Sequence, residues 1–262
     1  MPPTSDEQIR FLVNLQRLLD EGLFVASYKF ALLLSLADIA IEQGDDSGAA
    51  LTVSTDAIAE KFIRYYWRQV LPYPAMSEAR VVQQNAGNQA AVVNAIHDAR
   101  AKYGDSLASL IRNKSAWNQL IRMVAGVVRV MPLWKLQTVG RELLDFLYAN
   151  TVRGRTIELR PGVAFCFRKF HPLISDLVRG AWARYVRQRN LSILGETTDL
   201  TEFLFGRRAG CSGGGAPCAT RYSGWPLLLL QRSSESDSHT RGSLRRVGAI
   251  PGGPGPQFCA RR

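Results

Sequence analysis

Apolar positions recur at helical spacing through most of residues 1–206. Thr4 with Glu7, or Ser5 with Gln8, can form a capping box ahead of Ile9, Leu12, Val13, Leu15, Leu18 and Leu19. Those positions predict a first helix with one apolar face. A second helix is predicted from Phe24 to Glu42, ended by the turn formers Gly44-Asp45-Asp46-Ser47-Gly48. The third starts at Ser54 or Thr55, repeats Ile58, Phe62, Ile63 and Tyr66, and stops at Pro72 and Pro74. Further helices are predicted near residues 87–103, 105–114, 117–130 and 138–149.

The pattern then changes. Thr156 to Leu159 and Val163 to Phe167 are short runs of β formers joined by Arg160-Pro161-Gly162, which predicts a small hairpin. Pro172 lies near the start of a helix from Leu173 to Arg189, and Thr198 to Phe205 adds a turn or two. No internal repeat is present. The expected fold is mainly α: a multi-helix N-terminal domain over residues 1–206 with one small β-hairpin, followed by a disordered tail over residues 207–262.

Composition sharpens that boundary. The chain is 46% hydrophobic over 262 residues, enough to bury a proper core. Residues 207–262 hold 10 Gly and 5 Pro, no Lys, and almost no periodic apolar pattern beyond Leu227–Leu230. The net charge of +11 is uneven: residues 1–206 carry 24 Lys+Arg against 20 Asp+Glu, and residues 207–262 carry 9 against 2. Most of the basicity therefore belongs to the tail, and the overall charge is weak guidance to partners. The most apolar window, Phe24 to Ile41, contains Lys29 and Asp38, so it predicts a buried helix and no membrane span. The N-terminus MPPTSDEQIR lacks a basic segment followed by an apolar one, so no signal peptide is expected. Cys166, Cys211, Cys218 and Cys259 form no CxxC pair, which supports neither a disulfide framework nor a zinc knuckle. A reduced, cytoplasmic protein is the expectation.

Few residues carry catalytic chemistry. His97, His171 and His239 are isolated in sequence; His97 with Asp98 predicts a surface pair, and His171 before Pro172 predicts a helix start. Cys166 between Phe165 and Phe167 predicts a buried or half-buried thiol. Gly213-Gly214-Gly215 lacks the Lys-Ser/Thr of a phosphate loop. No catalytic and no metal-ligating residue is assigned. The candidate nucleic-acid contacts are Arg153, Arg155, Arg160, Arg168 and Lys169 around the predicted hairpin, and Arg179, Arg184, Arg187 and Arg189 along the following helix. On one face they could neutralise phosphates, with Trp182 or Tyr185 as apolar supports. Tyr65-Tyr66-Trp67 reads as core.

The tail has a second reading through the genetic code. Joining the last two bases of each codon to the first of the next constrains the shifted residues. Trp225 followed by Pro226 must give Gly, and the run through Leu227–Leu230 permits Gly-Arg-Cys-Phe-Tyr-Cys. Arg241 to Arg261 permits Val-Asp-His-Phe-Val-Ala-Trp-Ala-Arg-Tyr-Pro-Val-Asp-Leu-Gly-His-Asn-Phe-Val-Leu-Ala, and Gly215 to Gly224 permits an amphipathic lead-in. Together these resemble an HNH nuclease finger. The strings DEQIRFLVNLQRLLDEGLFVASYKFALLLSLADIAIEQGDDSG and KFIRYYWRQVLPYP likewise resemble the N-terminal region of a bacterial family of HNH endonuclease domain proteins, over roughly residues 5–206.

The resemblance implies a family activity of metal-dependent phosphodiester hydrolysis of DNA. A divalent metal would neutralise charge at the scissile phosphate, a His would act as general base, and paired Cys would hold a structural zinc. Both metals are expected only for an intact HNH module, which this reading frame does not encode. An inactive, truncated family member is therefore expected, with DNA as partner and no membrane. The alternative is a non-enzymatic helical nucleic-acid-binding or adaptor protein; an enzyme of another class has no polar constellation to support it.

Overall fold

The computed structural model describes residues 1–206 apart from Leu23, 74–79, 87–89, 151–153, 192–193 and 195–199. The predicted disordered tail, residues 207–262, lies outside the described residues.

Helix α1 (Ser5–Glu21) starts on the predicted capping box: Glu7 Oε2 accepts from the Thr4 N–H at 2.7 Å, and Thr4 Oγ1 accepts from the Glu7 N–H at 3.4 Å. Its buried stripe is Phe11, Leu15 and Leu18, flanked by Leu12 and Leu19. Ile9 and Val13 do not share it; they are 58% and 56% exposed. At about 100° per residue they lie roughly opposite Phe11, whose ring meets Phe146 and Phe167 edge-on. The expected single face is thus narrower than the apolar spacing suggested.

Helix α2 (Tyr28–Gln43) is the centre of the body. Residues 30–37 are all buried, and Ile39 and Ala40 with them, so the helix is covered on every side. Ser35 is tolerated there because its hydroxyl donates to the Ala31 carbonyl at 2.7 Å. Strand β1 (Leu51–Ser54) leads into α3 (Thr55–Tyr66), whose N-cap Ser54 accepts from the Ala57 N–H at 3.1 Å. Helices α4 (Ala91–Tyr103), α5 (Leu107–Arg112), α6 (Lys114–Val130) and the short α7 (Pro132–Lys135) follow.

Residues 138–149, predicted as a helix, are not one. Strands β2 (Thr138–Val139) and β3 (Glu142–Leu143) pair across Gly140, which has a left-handed φ of +56°. Beyond them the buried Gln137 amide takes over the backbone's bonding: its oxygen accepts from the Leu147 N–H at 2.7 Å and its nitrogen donates to the Tyr148 carbonyl at 2.8 Å. A side chain thereby satisfies groups that a helix would have paired internally.

The predicted hairpin is also corrected. Thr156–Leu159 is a strand, β4, but its partner is β1, antiparallel with Leu51 opposite Leu159 and Ser54 opposite Thr156. Val163–Lys169 is a helix, α8, entered through Gly162 at φ +82°. Val163, Ala164, Cys166 and Phe167 are all buried, an i, i+1, i+3, i+4 set that suits a helix packed on α2. Burial on one helical face here overrides the β preference of Val and Phe. Helix α9 (His171–Arg189) then crosses α2, and α10 (Leu200–Phe205) lies on α9 and α3.

The seam between these helices is aromatic and polar together. Trp182, fully buried, touches Phe30, Tyr65, Tyr66 and Phe205 and donates its indole N–H to Gln84 Oε1 at 3.2 Å. Gln84 Nε2 donates to Gln69 Oε1 at 2.8 Å, and Gln69 Nε2 donates to the Leu204 carbonyl at 3.2 Å. The Gln84 and Gln69 amides each find a donor and an acceptor along this chain, which fixes α10 against the core at little desolvation cost. No helix among the described residues is long and apolar enough to cross a membrane.

Candidate nucleic-acid interface

The basic residues singled out in the sequence divide into those consumed by the fold and those left open. Arg168 on α8 closes the C-terminal end of α2: its guanidinium donates to the Ala40 and Ile41 carbonyls at 3.3 and 3.0 Å and to Asp46 at 3.0 Å. The last carbonyls of a helix lack internal partners and carry partial negative charge, which is why a cation rests there. Lys169 donates to Gln8 Oε1 at 2.8 Å and lies over the rings of Phe165 and Phe170. Arg160 pairs with Asp145. Arg179 stacks over Phe205, 5.5 Å from the ring centroid, and half-buried Arg187 is engaged as well. Arg153 lies outside the described residues.

Arg184 and Arg189 do share a recess, of about 510 Å³, with Asp20 from α1 and with Tyr185, Phe24 and Gln188. Arg189 stacks on the Tyr185 ring at 5.2 Å. Tyr185 is thus an apolar support of the predicted kind, whereas Trp182 is core. Tyr66 and Trp67 are buried, in line with the expectation for that segment, and Tyr65 packs against the core. The basic residues of α9 do not share one stripe: at about 100° per residue Arg184 and Arg187 are neighbours, Arg179 lies to one side of them, and Arg189 stands roughly 140° from Arg184.

The most strongly basic recess is one that the sequence reading missed in part. Pairing of β4 with β1, and the Thr55 N–H donating to the Arg155 carbonyl at 2.7 Å, hold Arg155 over the first turn of α3. There its guanidinium faces Asp56 at 3.4 Å. Helix α6 packs on α3 and brings Arg122 and Arg129 to the same recess, of about 270 Å³, floored by Ala125. Neither Arg122 nor Arg129 meets an acceptor among the described residues. Three guanidiniums thus face one carboxylate, and Asp56 Oδ1 is shielded from solvent without a donor. Gly126 lies between the two arginines on α6, with open space where a side chain would stand.

Helices α2, α3 and α9 also assemble a cluster that the sequence reading did not foresee. His171 Nε2 lies 2.8 Å from Asp38 Oδ1, and Tyr65 donates to Asp38 Oδ2 at 2.6 Å. His171 was expected to be isolated; its carboxylate comes from a helix far away in sequence. Burial and the neighbouring Asp38 hold the Tyr65 phenol well above its usual range. His97 and Asp98 form the exposed pair expected, at 3.5 Å. Cys166 is buried, and burial pushes its thiol up to about 11, which suppresses the nucleophilic thiolate. Lys29 is only 6% exposed; burial, aided by Lys135, pushes it down to about 8, and its nearest acceptor is the Thr138 carbonyl at 3.5 Å.

Residues 9–134 match a domain of unknown function (DUF8808). The DUF8808 span runs from α1 into α7 and so contains Asp38, Asp56, Tyr65, Arg122 and Arg129. It leaves out β4, α8 and α9, which supply β1 with its strand partner and α2 with two of its neighbours. No curated protein and no solved structure matches the chain.

Proposed function

We propose that residues 1–206 are the helical N-terminal domain of an HNH-endonuclease-like protein, a domain that engages DNA, and that the chain in this form does not hydrolyse it because the HNH finger is encoded one register away. The observation that carries the reading is positional. The last described helix, α10, is tied into the core through Leu204 and Phe205; the composition breaks immediately after it, and the shifted frame permits a lead-in from Gly215 and the finger through Arg261. The recess of Arg122, Arg129 and Arg155 supports the DNA-engaging part of the reading, because three guanidiniums there share one carboxylate, Asp56, and the surplus positive charge favours polyanions. The same recess suits the alternative, a helical nucleic-acid-binding or adaptor protein that was never a nuclease.

The metals of an HNH centre do not fit the described residues. No group of three or more His, Cys, Asp or Glu is placed to hold an ion, and both oxygens of Asp38 are occupied by His171 and Tyr65. The described residues therefore offer no metal-dependent step. Sequencing the coding DNA tests the reading. An open neighbouring frame that spells the paired Cys and the His-containing finger is expected; stops throughout that frame would overturn it and favour the non-enzymatic alternative.

A further inference from the structure

We propose that the open face of α6, with Arg155 beside it, is a contact surface for the phosphodiester backbone of duplex DNA, in which Arg122 and Arg129 each neutralise a separate phosphate. The proposal rests on the DNA-engaging reading above and adds where the strand lies. Arg122, Gly126 and Arg129 stand at i, i+4 and i+7, which places them on one stripe of the helix, and Ser115 and Asn118 extend it toward the N-terminal end. Ser115, Asn118 and Arg122 are exposed. The two arginines are separated by about 10 Å along the axis, too far to serve one phosphate with both forks and suited to two. Gly126 removes the side chain that would keep a sugar-phosphate strand away from the helix. Ser115 and Asn118 supply the small polar donors that commonly complete backbone contacts.

Charge decides between this recess and the one on α9. Each recess holds one carboxylate, Asp20 or Asp56, but the α9 recess has two guanidiniums, of which Arg189 is stacked on Tyr185, whereas the α6 recess has three, with Arg155 leaning in from β4 beside Arg122 and Arg129. Met123 and Val130 are exposed on the neighbouring stripe, so an anionic membrane is the competing occupant. The recess favours the strand: guanidiniums spaced along a concavity meet successive phosphates of one backbone, while a flat lipid surface would engage the apolar ridge first. Asp56 sets an opposing charge at the rim, so its neutralisation should strengthen the contact.

The test uses the full chain and a mixed-sequence duplex titrated across a range of salt concentrations. Arg122→Ala with Arg129→Ala should weaken binding for all sequences alike and lower the slope of log K against log salt by ~2, near 0.9 for each phosphate released. Asp56→Asn should tighten binding roughly two- to fivefold, the size of an exposed charge pair. Circular dichroism confirms that each variant folds, and Arg184→Ala with Arg189→Ala serves as the matched loss of two charges. Equal losses and equal slope changes from the two double variants would overturn the site while leaving the DNA-engaging reading intact. Failure of the wild-type chain to bind duplex at low salt would overturn both. Binding to vesicles of anionic lipid that depends on Arg122 and Arg129, with no such dependence for duplex, would replace the proposed partner by a membrane surface.

Discussion

Helices α8 and α9 carry the denser run of basic residues, yet α6 presents the more available positive charge. On α8 and α9, Arg168 closes the end of α2, Lys169 is held by Gln8 and two rings, and Arg179 lies on Phe205. On α6, Arg122 and Arg129 stand beside a glycine with no acceptor among the described residues. A guanidinium committed to helix carbonyls or an aromatic face has already exchanged its water for protein, and releasing it for a phosphate would cost what the contact contributes. Availability, more than density along the chain, decides which cations can meet a ligand.

The comparison can be broken most forcefully at the α9 seam. Trp182→Ala would leave a large cavity and an amide chain without its indole donor, and should cost ~3–5 kcal/mol in denaturant unfolding. A loss below ~1 kcal/mol would mean that α9 is not the structural region described.

Lys29 gives the next largest effect, with the opposite sign. Its folded value is depressed, so the penalty for burying its charge is fully present below about pH 8 and fades as pH rises toward the ordinary lysine value. Stability should therefore climb between about pH 8 and 10 by up to ~2–3 kcal/mol, and Lys29→Met should stabilise the protein at neutral pH and abolish that climb. Parallel pH–stability curves for the two proteins would contradict the burial of the charge.

The arginines sharpen the contrast directly. Arg168→Ala should destabilise by about 1–2 kcal/mol through loss of charged hydrogen bonds to the end of α2, and leave DNA affinity nearly unchanged. Arg122→Ala should do the reverse, moving stability by less than ~0.5 kcal/mol as a surface substitution away from caps and core. Thermal unfolding of the pair, read beside duplex binding, separates a structural from an available cation.

Legibility in the sequence followed the range of the interactions. Helices α1, α2 and α3 were visible because their caps and apolar repeats lie within a few residues: Thr4 with Glu7, the run centred on Leu33, and Ser54 ahead of Ile58. The β1–β4 pair was half visible, since Thr156–Leu159 has strand character but its partner Leu51–Ser54 is distant and short. Val163–Phe167 was misread because its β-branched and aromatic residues outweighed the spacing that buries them against α2. The 138–149 segment was misread because nothing local announces that Gln137 will bond to residues 147 and 148. At the candidate interface, Arg155 was named but Arg122 and Arg129 were not. Their signal was present, an i, i+4, i+7 stripe with a glycine at its centre, but it lies within a helix recognised mainly by its apolar positions. The Asp38–His171 pair had no sequence signal, because two helices far apart in the chain create it.

Incubation of supercoiled plasmid with magnesium or manganese tests the central claim most directly, comparing the 262-residue chain with a protein whose C-terminal frame has been restored. The account predicts that the chain leaves the plasmid intact while the restored protein nicks it. Nicking by the chain itself, or none by a folded, zinc-loaded restored protein, would contradict the account.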